Sequence, residues 1–310
     1  IGVRLVGSEM CIRDRDKDVG RTAMVHSPCL VMGILNITPD SFSDGGKWNT
    51  RDKALAHARD MVAQGAQIID VGGESTRPGA TRVTAEEEAA RVVPIVSALH
   101  QEGVTVSVDT MRASVAAAAL GAGADLINDV SGGEADPDMR RVMADARVPY
   151  CVMHWQADKF GDAAGAAYND ADIVGKVMGD LQILVQRALD AGVKESNIIL
   201  DPGLGFAKTR DQDWALLKAL PTFVKNGFPV LIGASRKRFL GDVLADTDSR
   251  YSVERPSEPP ERDLATSVVS AFCGHYGAWG VRVHDVPSTV QALAVQQAWQ
   301  AGCNPFREDG

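Results

Sequence analysis

Eight short apolar runs recur along the chain, at residues 30–36, 67–70, 104–109, 125–128, 149–154, 197–201, 229–235 and 280–284. Each stops on a residue that can hydrogen-bond, carry charge or bind a metal. A strand buried on both faces reads as this kind of nearly unbroken hydrophobic run. Between the runs lie stretches of helical period; Ala54, Leu55, Ala58, Met61 and Val62, for example, mark one face of a helix after Thr50. Several of these stretches close on a glycine shortly before the next run, at Gly65, Gly103, Gly123, Gly192 and Gly227. Glycine suits the left-handed cap from which a chain leaves a helix. Alternation of this kind predicts a parallel sheet with right-handed crossovers, and eight units predict an α/β fold closed into a single (β/α)8 TIM barrel. Such a barrel gathers the C-terminal ends of all its strands into one mouth, so eight separate positions become one polar pocket.

The 310-residue chain is ordinary for one barrel, with 45% hydrophobic residues to fill a core. The expected domain spans residues 28–302, with a frayed tail over 303–310. Residues 1–15, IGVRLVGSEMCIRDR, show neither helical nor strand period and resemble translated adapter sequence. They are set aside as non-native or disordered; a genuine frayed arm would leave the pocket unchanged. Residues 246–263 break the rhythm with three prolines, many charges and few apolar side chains, which predicts an exposed polar loop inserted beside the seventh helix, a spacer on the simplest reading. A second long connection over 156–170 suits a flap near the mouth. The net charge of −9 argues against a nucleic-acid or anionic-membrane surface, and any anion must be held locally. No run approaches the roughly 18 apolar residues of a spanning helix. Five scattered cysteines without a C-x-x-C pair read as reduced thiols of a cytoplasmic protein.

The strand ends carry the chemistry. The first loop, NITPDSFSDGG from Asn36, bears polar groups, the aromatic Phe42 and a glycine pair, as a closing lid would. After the second run, Asp70 begins DVGGESTRPG, which places Thr76, Arg77 and Pro78 on a second loop over the same mouth. Asp70 itself either lines the pocket or supports catalysis. Asp109, Asn128 and Asp201 end three further strands. Two carboxylates and an amide that converge in a mouth make a receptor for a heterocycle with several N–H donors and a ring acceptor. Internal ion pairing or metal binding is the alternative reading. The seventh run ends in GASRKR, where an extended period turns Ser235 and Lys237 one way and Arg236 the other. In the eighth, the period of two puts Arg282 and His284 on one face. Loops after strands seven and eight are the usual phosphate sites of barrels, although Arg282 alone could simply neutralise nearby acids.

These segments, GILNITPDSFSDGG, IIDVGGESTRPGA, VSVDTMRA, INDVSGG, LDPGLGFAK, GASRKRFLG and GVRVHDV, occur in the order in which they occur in the dihydropteroate synthases of folate biosynthesis, and the chain resembles that family over residues 30–300. DVSGG, MHW, LDPGLGFAKT and GHYGAWGVRVHD look most like its actinobacterial members. The resemblance implies a transferase that condenses 6-hydroxymethyl-7,8-dihydropterin diphosphate with 4-aminobenzoate, and a target of sulfonamides. It implies that Asp109, Asn128, Met153, Asp201 and Lys237 bind the pterin. Arg282, His284 and Asn36 would contact the diphosphate, Asn36 as the Mg²⁺ ligand. Phe42, Thr76, Arg77, Pro78 and Ser235 would surround aminobenzoate. Asp109, Lys237, Arg282 and His284 would carry the catalysis, with Asp70 in support. A homodimer is also implied.

Two other readings compete. A methyltetrahydrofolate-dependent methyltransferase shares a pterin-receiving barrel but needs no diphosphate site, so Asn36, Arg282 and His284 speak against it. A non-catalytic pterin-binding paralogue would have no use for the full set of matched positions.

Overall fold

The computed structural model describes residues 29–37, 47–74, 82–155, 172–252 and 254–306. The expectations for residues 1–15, for the lid residue Phe42, for Thr76, Arg77 and Pro78, and for the 156–170 flap fall outside them. Eight parallel strands alternate with helices: β1 (Leu30–Asn36), β2 (Ile68–Gly72), β3 (Val106–Asp109), β4 (Leu126–Asp129), β5 (Tyr150–Met153), β6 (Ile198–Asp201), β7 (Leu231–Ile232) and β8 (Gly280–Val283). Among the described residues the helices are α1 (Lys47–Ala63), α2 (Ala85–Gln101), α3 (Ala113–Gly121), α4 (Met139–Ala146), α5 (Ile173–Asp190), α6 (Arg210–Lys218), α7 (Leu220–Lys225), α8 (Arg238–Thr247), α9 (Asp263–His275) and α10 (Val286–Ala301).

The sheet runs β6-β5-β4-β3-β2-β1-β8-β7. A parallel bridge between Leu200 and Val230 joins its two ends, together with a 2.8 Å bond from the Leu200 N–H to the Pro229 carbonyl. The barrel is therefore nearly closed, and β7 is its weakest stave. Pro229 has no N–H to give a ladder, which helps explain why β7 is shorter than its apolar run.

Side chains alternate across each strand. Those pointing outward, such as Val31, Leu35, Val71 and Val108, pack beneath the helices. Those pointing inward begin with a plug of Met32, Ile68, Leu126, Cys151, Ile199 and Leu231. One inward step further along, Ile68 gives way to Asp70, Leu126 to Asn128, Cys151 to Met153 and Ile199 to Asp201. Two residues separate the sealed floor from the polar mouth. Burying each large plug residue contributes roughly 1.5–3 kcal/mol, so the floor can carry the desolvation of the polar groups above it.

The five expected helix-end glycines all adopt positive φ, from 77° at Gly103 to 106° at Gly123. Of the face assigned to α1, Ala54, Leu55, Ala58 and Met61 are buried but Val62 is exposed. The helical repeat of 3.6 residues carries that position round to solvent. Residues 246–263 are not simply an exposed loop. The start of the segment belongs to α8, a short 3-10 turn spans Pro259–Arg262, and Ser257 and Arg262 are buried. Arg262 tolerates burial because its guanidinium is hydrogen-bonded on several sides. At the C-terminus α10 ends on Gly302 in the left-handed cap, and residues 303–306 are exposed.

Candidate active site

The register places Asn36 beside Gly72, Gly72 beside Asp109, and Asp109 beside Asn128, while Met153 lies beside Asp201. Arg282 reaches across from β8 and draws this row together. Its Nε donates to Asp70 Oδ2 at 2.6 Å and one terminal nitrogen donates to Asp109 Oδ2 at 2.8 Å. Asn128 Nδ2 donates to the same Asp70 oxygen at 3.1 Å. The expectation of internal ion pairing is thus met in the same place as the expected polar cluster. A guanidinium carries five N–H donors, so these two carboxylates do not exhaust it. Burial pushes the Asp109 carboxyl up to about 7, opposed by the adjacent Arg282 charge and reinforced by Asp70. Arg282 is pushed up, because the attraction of Asp70 and Asp109 outweighs the opposing effect of its own burial.

A second set gathers round Lys237. Its ammonium donates to the Leu204 carbonyl and lies 4.7 Å from the centre of the Phe206 ring. Burial lowers its pKa to about 8, opposed by Asp201 and Asp213. Asp201 is raised by burial and lowered by Lys237 and by the Gly203 N–H, which donates to it at 2.7 Å. Asp201 also acts electrostatically on Arg282. The Gly203–Phe206 loop passes so close to β5 that a Cβ on Gly203 would lie 2.0 Å from the His154 carbonyl oxygen. Only glycine fits there. Beside this loop Met111, Val130, Met153, Trp155 and Ala207 form an apolar shelf, with Phe206 packed against it. Trp155 and Phe206 have ring centres 5.4 Å apart.

The third set joins strands seven and eight. Ser235 Oγ lies 2.9 Å from His284 Nδ1 and accepts the His284 backbone N–H at 3.1 Å. Arg236 points away from the mouth as expected, but a left-handed backbone with φ of 59° achieves this rather than a continued strand. Asn36 carries its amide over Gly72: a Cβ there would stand 3.3 Å from Asn36 Oδ1.

Several buried groups had no signal in the sequence. Asp129, next to Asn128, accepts from the Ser131 N–H and hydroxyl, the Gly133 N–H and the Tyr150 hydroxyl at 2.7–3.0 Å. His154 meets Asp180 of α5 through Nε2 and Lys208 through Nδ1, both at 3.0 Å. Lys208 in turn donates to the Gly203 and Phe206 carbonyls, tying down the loop that carries Leu204. Arg112 bonds Glu74, Glu88 and the Val83 carbonyl, and Arg91 bonds the Gly73 carbonyl. These contacts hold the strand end and the helix start that flank residues 75–81. The Asp129–Tyr150, His154–Asp180, His154–Lys208 and Arg112 contacts pair residues far apart in the sequence, so no local period reveals them.

A model of the pterin binding enzyme family matches residues 32–284. A dihydropteroate synthase of the actinobacterium Mycobacterium leprae is 51% identical over 273 residues, which cover 88% of this chain and 94% of that protein. This chain belongs to the dihydropteroate synthases. Solved structures of the family agree in shape. A dihydropteroate synthase from Clostridium difficile, determined in the presence of pteroic acid, has a TM-score of 0.79 at 39% identity and covers 88% of this chain and 97% of its own. The Xanthomonas albilineans dihydropteroate synthase, determined with 4-aminobenzoic acid, has a TM-score of 0.79 at 40% identity, covering 88% and 94%.

Proposed function

We propose that the mouth joins 6-hydroxymethyl-7,8-dihydropterin diphosphate to 4-aminobenzoate, giving dihydropteroate and pyrophosphate, in the cytoplasm. The observation that carries this reading is the arrangement round Arg282. A buried carboxylate and amide row lies on one side of it and the Ser235–His284 pair on the other. Asp109, Asn128 and Asp201 offer acceptors to the ring N–H groups of a pterin, and Asn128 and Lys237 offer donors to its ring acceptors. Met153 and the shelf beside it give the flat ring an apolar face. Arg282 and His284 face the diphosphate. Residues Phe42, Thr76, Arg77, Pro78 and Ser235 are assigned to aminobenzoate by family likeness, and Asp70 orients Arg282 and Asn128.

The reaction breaks the bond between the pterin methylene carbon and the diphosphate oxygen, whose electron pair leaves with the diphosphate. The aminobenzoate nitrogen forms the new bond to that carbon and then loses a proton to solvent. Positive charge develops on the pterin side and negative charge on the leaving group. Fixed charges of both signs, held in place by the Arg282 ion pairs with Asp70 and Asp109, therefore stabilise the transition state more than the ground state. Asp109 supplies the anion, while Arg282 and His284 supply the donors. Closing the mouth against water protects the methylene carbon from a competing nucleophile.

Among the described residues no group of three His, Cys, Asp or Glu side chains could cage a metal. The residues nonetheless fit Mg²⁺, which keeps several waters and takes only one or two protein oxygens beside phosphate. Asn36 Oδ1 is such an oxygen, set over the space that Gly72 leaves open. When bound, the ion would neutralise charge on the departing diphosphate.

The chain also pairs with a second copy. Leu264, Val268, Phe272 and Tyr276 of α9, with Val295 and Trp299 of α10, leave a large apolar face exposed, more than scattered surface hydrophobics would account for.

The test is incorporation of labelled 4-aminobenzoate by the purified chain given the dihydropterin diphosphate, with and without Mg²⁺. Dihydropteroate should form, and a saturating sulfonamide should suppress it. Absence of product would leave the paralogue reading. Methyl transfer that requires a corrinoid would restore the methyltransferase.

A further inference from the structure

The turn between β7 and α8 carries Ser235 and Lys237, yet the residue between them is in an unfavourable conformation. The Lys237 N–H closes the turn on the Ala234 carbonyl at 3.2 Å, which leaves Arg236 at the third position with φ of 59°. Glycine or asparagine is the usual occupant of a left-handed slot in a turn. Arginine needs external support to remain there.

That support comes from one segment. Asp263 takes the Arg236 side chain with both oxygens, from Nε at 2.7 Å and from Nη2 at 2.8 Å. Thr266 Oγ1 accepts the Arg236 backbone N–H at 3.1 Å, and Arg262 Nη1 donates to the Arg236 carbonyl at 2.9 Å. The two main-chain polar groups of Arg236 and its guanidinium are therefore all held by residues 262–266. Arg262 is fixed in turn by Ser257, through the hydroxyl at 2.9 Å and through the carbonyl. Ser257 is 2% exposed. The fit is close: a Cβ on Gly241 of α8 would stand 3.0 Å from Arg262 Nε and 3.0 Å from Ser257 Oγ.

We propose that residues 257–266 form a clamp that sets the β7–α8 turn, with Asp263 and Arg262 as positioning residues for the subsites served by Ser235, Lys237 and His284. This rests on the assignment of those three side chains to the substrates. The polar insertion is then no spacer. It ends in the groups that hold Arg236 left-handed, and so it sets where the hydroxyl of Ser235 meets His284 and where the ammonium of Lys237 meets Leu204.

Asp263→Ala and the milder Asp263→Asn test the clamp, each alone and combined with Arg236→Gly. Displacing reactive groups by about an ångström costs up to roughly 100-fold in rate. Asp263→Ala should therefore lower kcat/KM for the dihydropterin diphosphate by about 10- to 100-fold, Asp263→Asn by less, and both should still melt cooperatively. The His284 imidazole NMR signals should move in Asp263→Ala. Glycine adopts the turn without support, so Arg236→Gly should restore both the rate and the signals in the double variant. Unchanged kcat/KM in Asp263→Ala, or failure of the glycine to rescue, would overturn the clamp. If Ser235→Ala and Lys237→Met kept full activity while Asp263→Ala still moved the His284 signals, the substrate assignment would fall and the clamp on the turn would stand.

Discussion

Arg282 is the residue on which the proposed chemistry turns, because it touches the acceptor row and is assigned to the leaving group. Removing a preorganised donor of this kind typically costs on the order of 100- to 1,000-fold in turnover, so Arg282→Ala should fall in or beyond that range in a steady-state assay. It should also leave Asp70 and Asp109 without their cation. His154 makes a different prediction. It is buried, and desolvation, with Lys208 beside it, lowers its pKa to about 4 despite the Asp180 contact. The unfolded chain takes up this proton near pH 6.5 and the folded chain does not. The His154 contribution to stability should therefore be full above 6.5 and be lost as the pH drops towards 4, by up to about 3 kcal/mol. Denaturant titrations of the parent and of His154→Gln isolate this contribution: the difference in stability between them should shift in the variant's favour as the pH falls from 6.5 to 4, and a difference that does not change with pH would reject the assignment. At this scale the sequence was informative where a strand pointed a side chain inward. Asp70, Asp109, Asn128, Asp201 and Arg282 follow from the period of two. His154, Lys208 and Asp129 do not: His154 meets Asp180 and Lys208 from other elements, and Asp129 lies on the outward face of its strand.

For the elements, the apolar runs located all eight strands, and the glycines marked the helix ends. Both signals are local, the first from burial on two faces and the second from backbone sterics. The expectation failed where an element depends on its neighbour. Strand β7 is clipped because of its proline and its place at the seam, and the polar insertion is drawn inward by Arg262, whose hydrogen bonds a hydropathy pattern does not register. Not every helix end follows the glycine rule: α6 closes on Ala219, α8 on Asp248 and α4 on Arg147. Arg147 caps α4 with φ of 58° and is exposed, so its side chain gives little in return for the strain. Arg147→Gly should raise stability by about 0.5–1 kcal/mol, visible as a thermal midpoint higher by roughly 1–4 °C. An unchanged or lowered midpoint would mean that the side chain holds the cap in place.

For the whole molecule, the floor of the barrel and its mouth are two parts of one alternation, while α9 and α10 leave large apolar side chains exposed, the face proposed above to meet a second copy. Trp299 is 84% exposed and Leu264 76% exposed. Trp299→Glu should yield a monomer by sedimentation at concentrations where the parent is a dimer, because a carboxylate would have to be stripped of water at the contact. A parent that sediments as a monomer would remove the homodimer from the reading. The tie from Arg282 to Asp70 and Asp109 spans 212 and 173 positions of sequence. During synthesis the two carboxylates leave the ribosome long before their counter-charge, and a half-made barrel must keep them wet. Completion of the catalytic mouth therefore waits on the last strand to be translated, and a chain that loses that strand through premature termination forfeits the cation at its centre along with the stave.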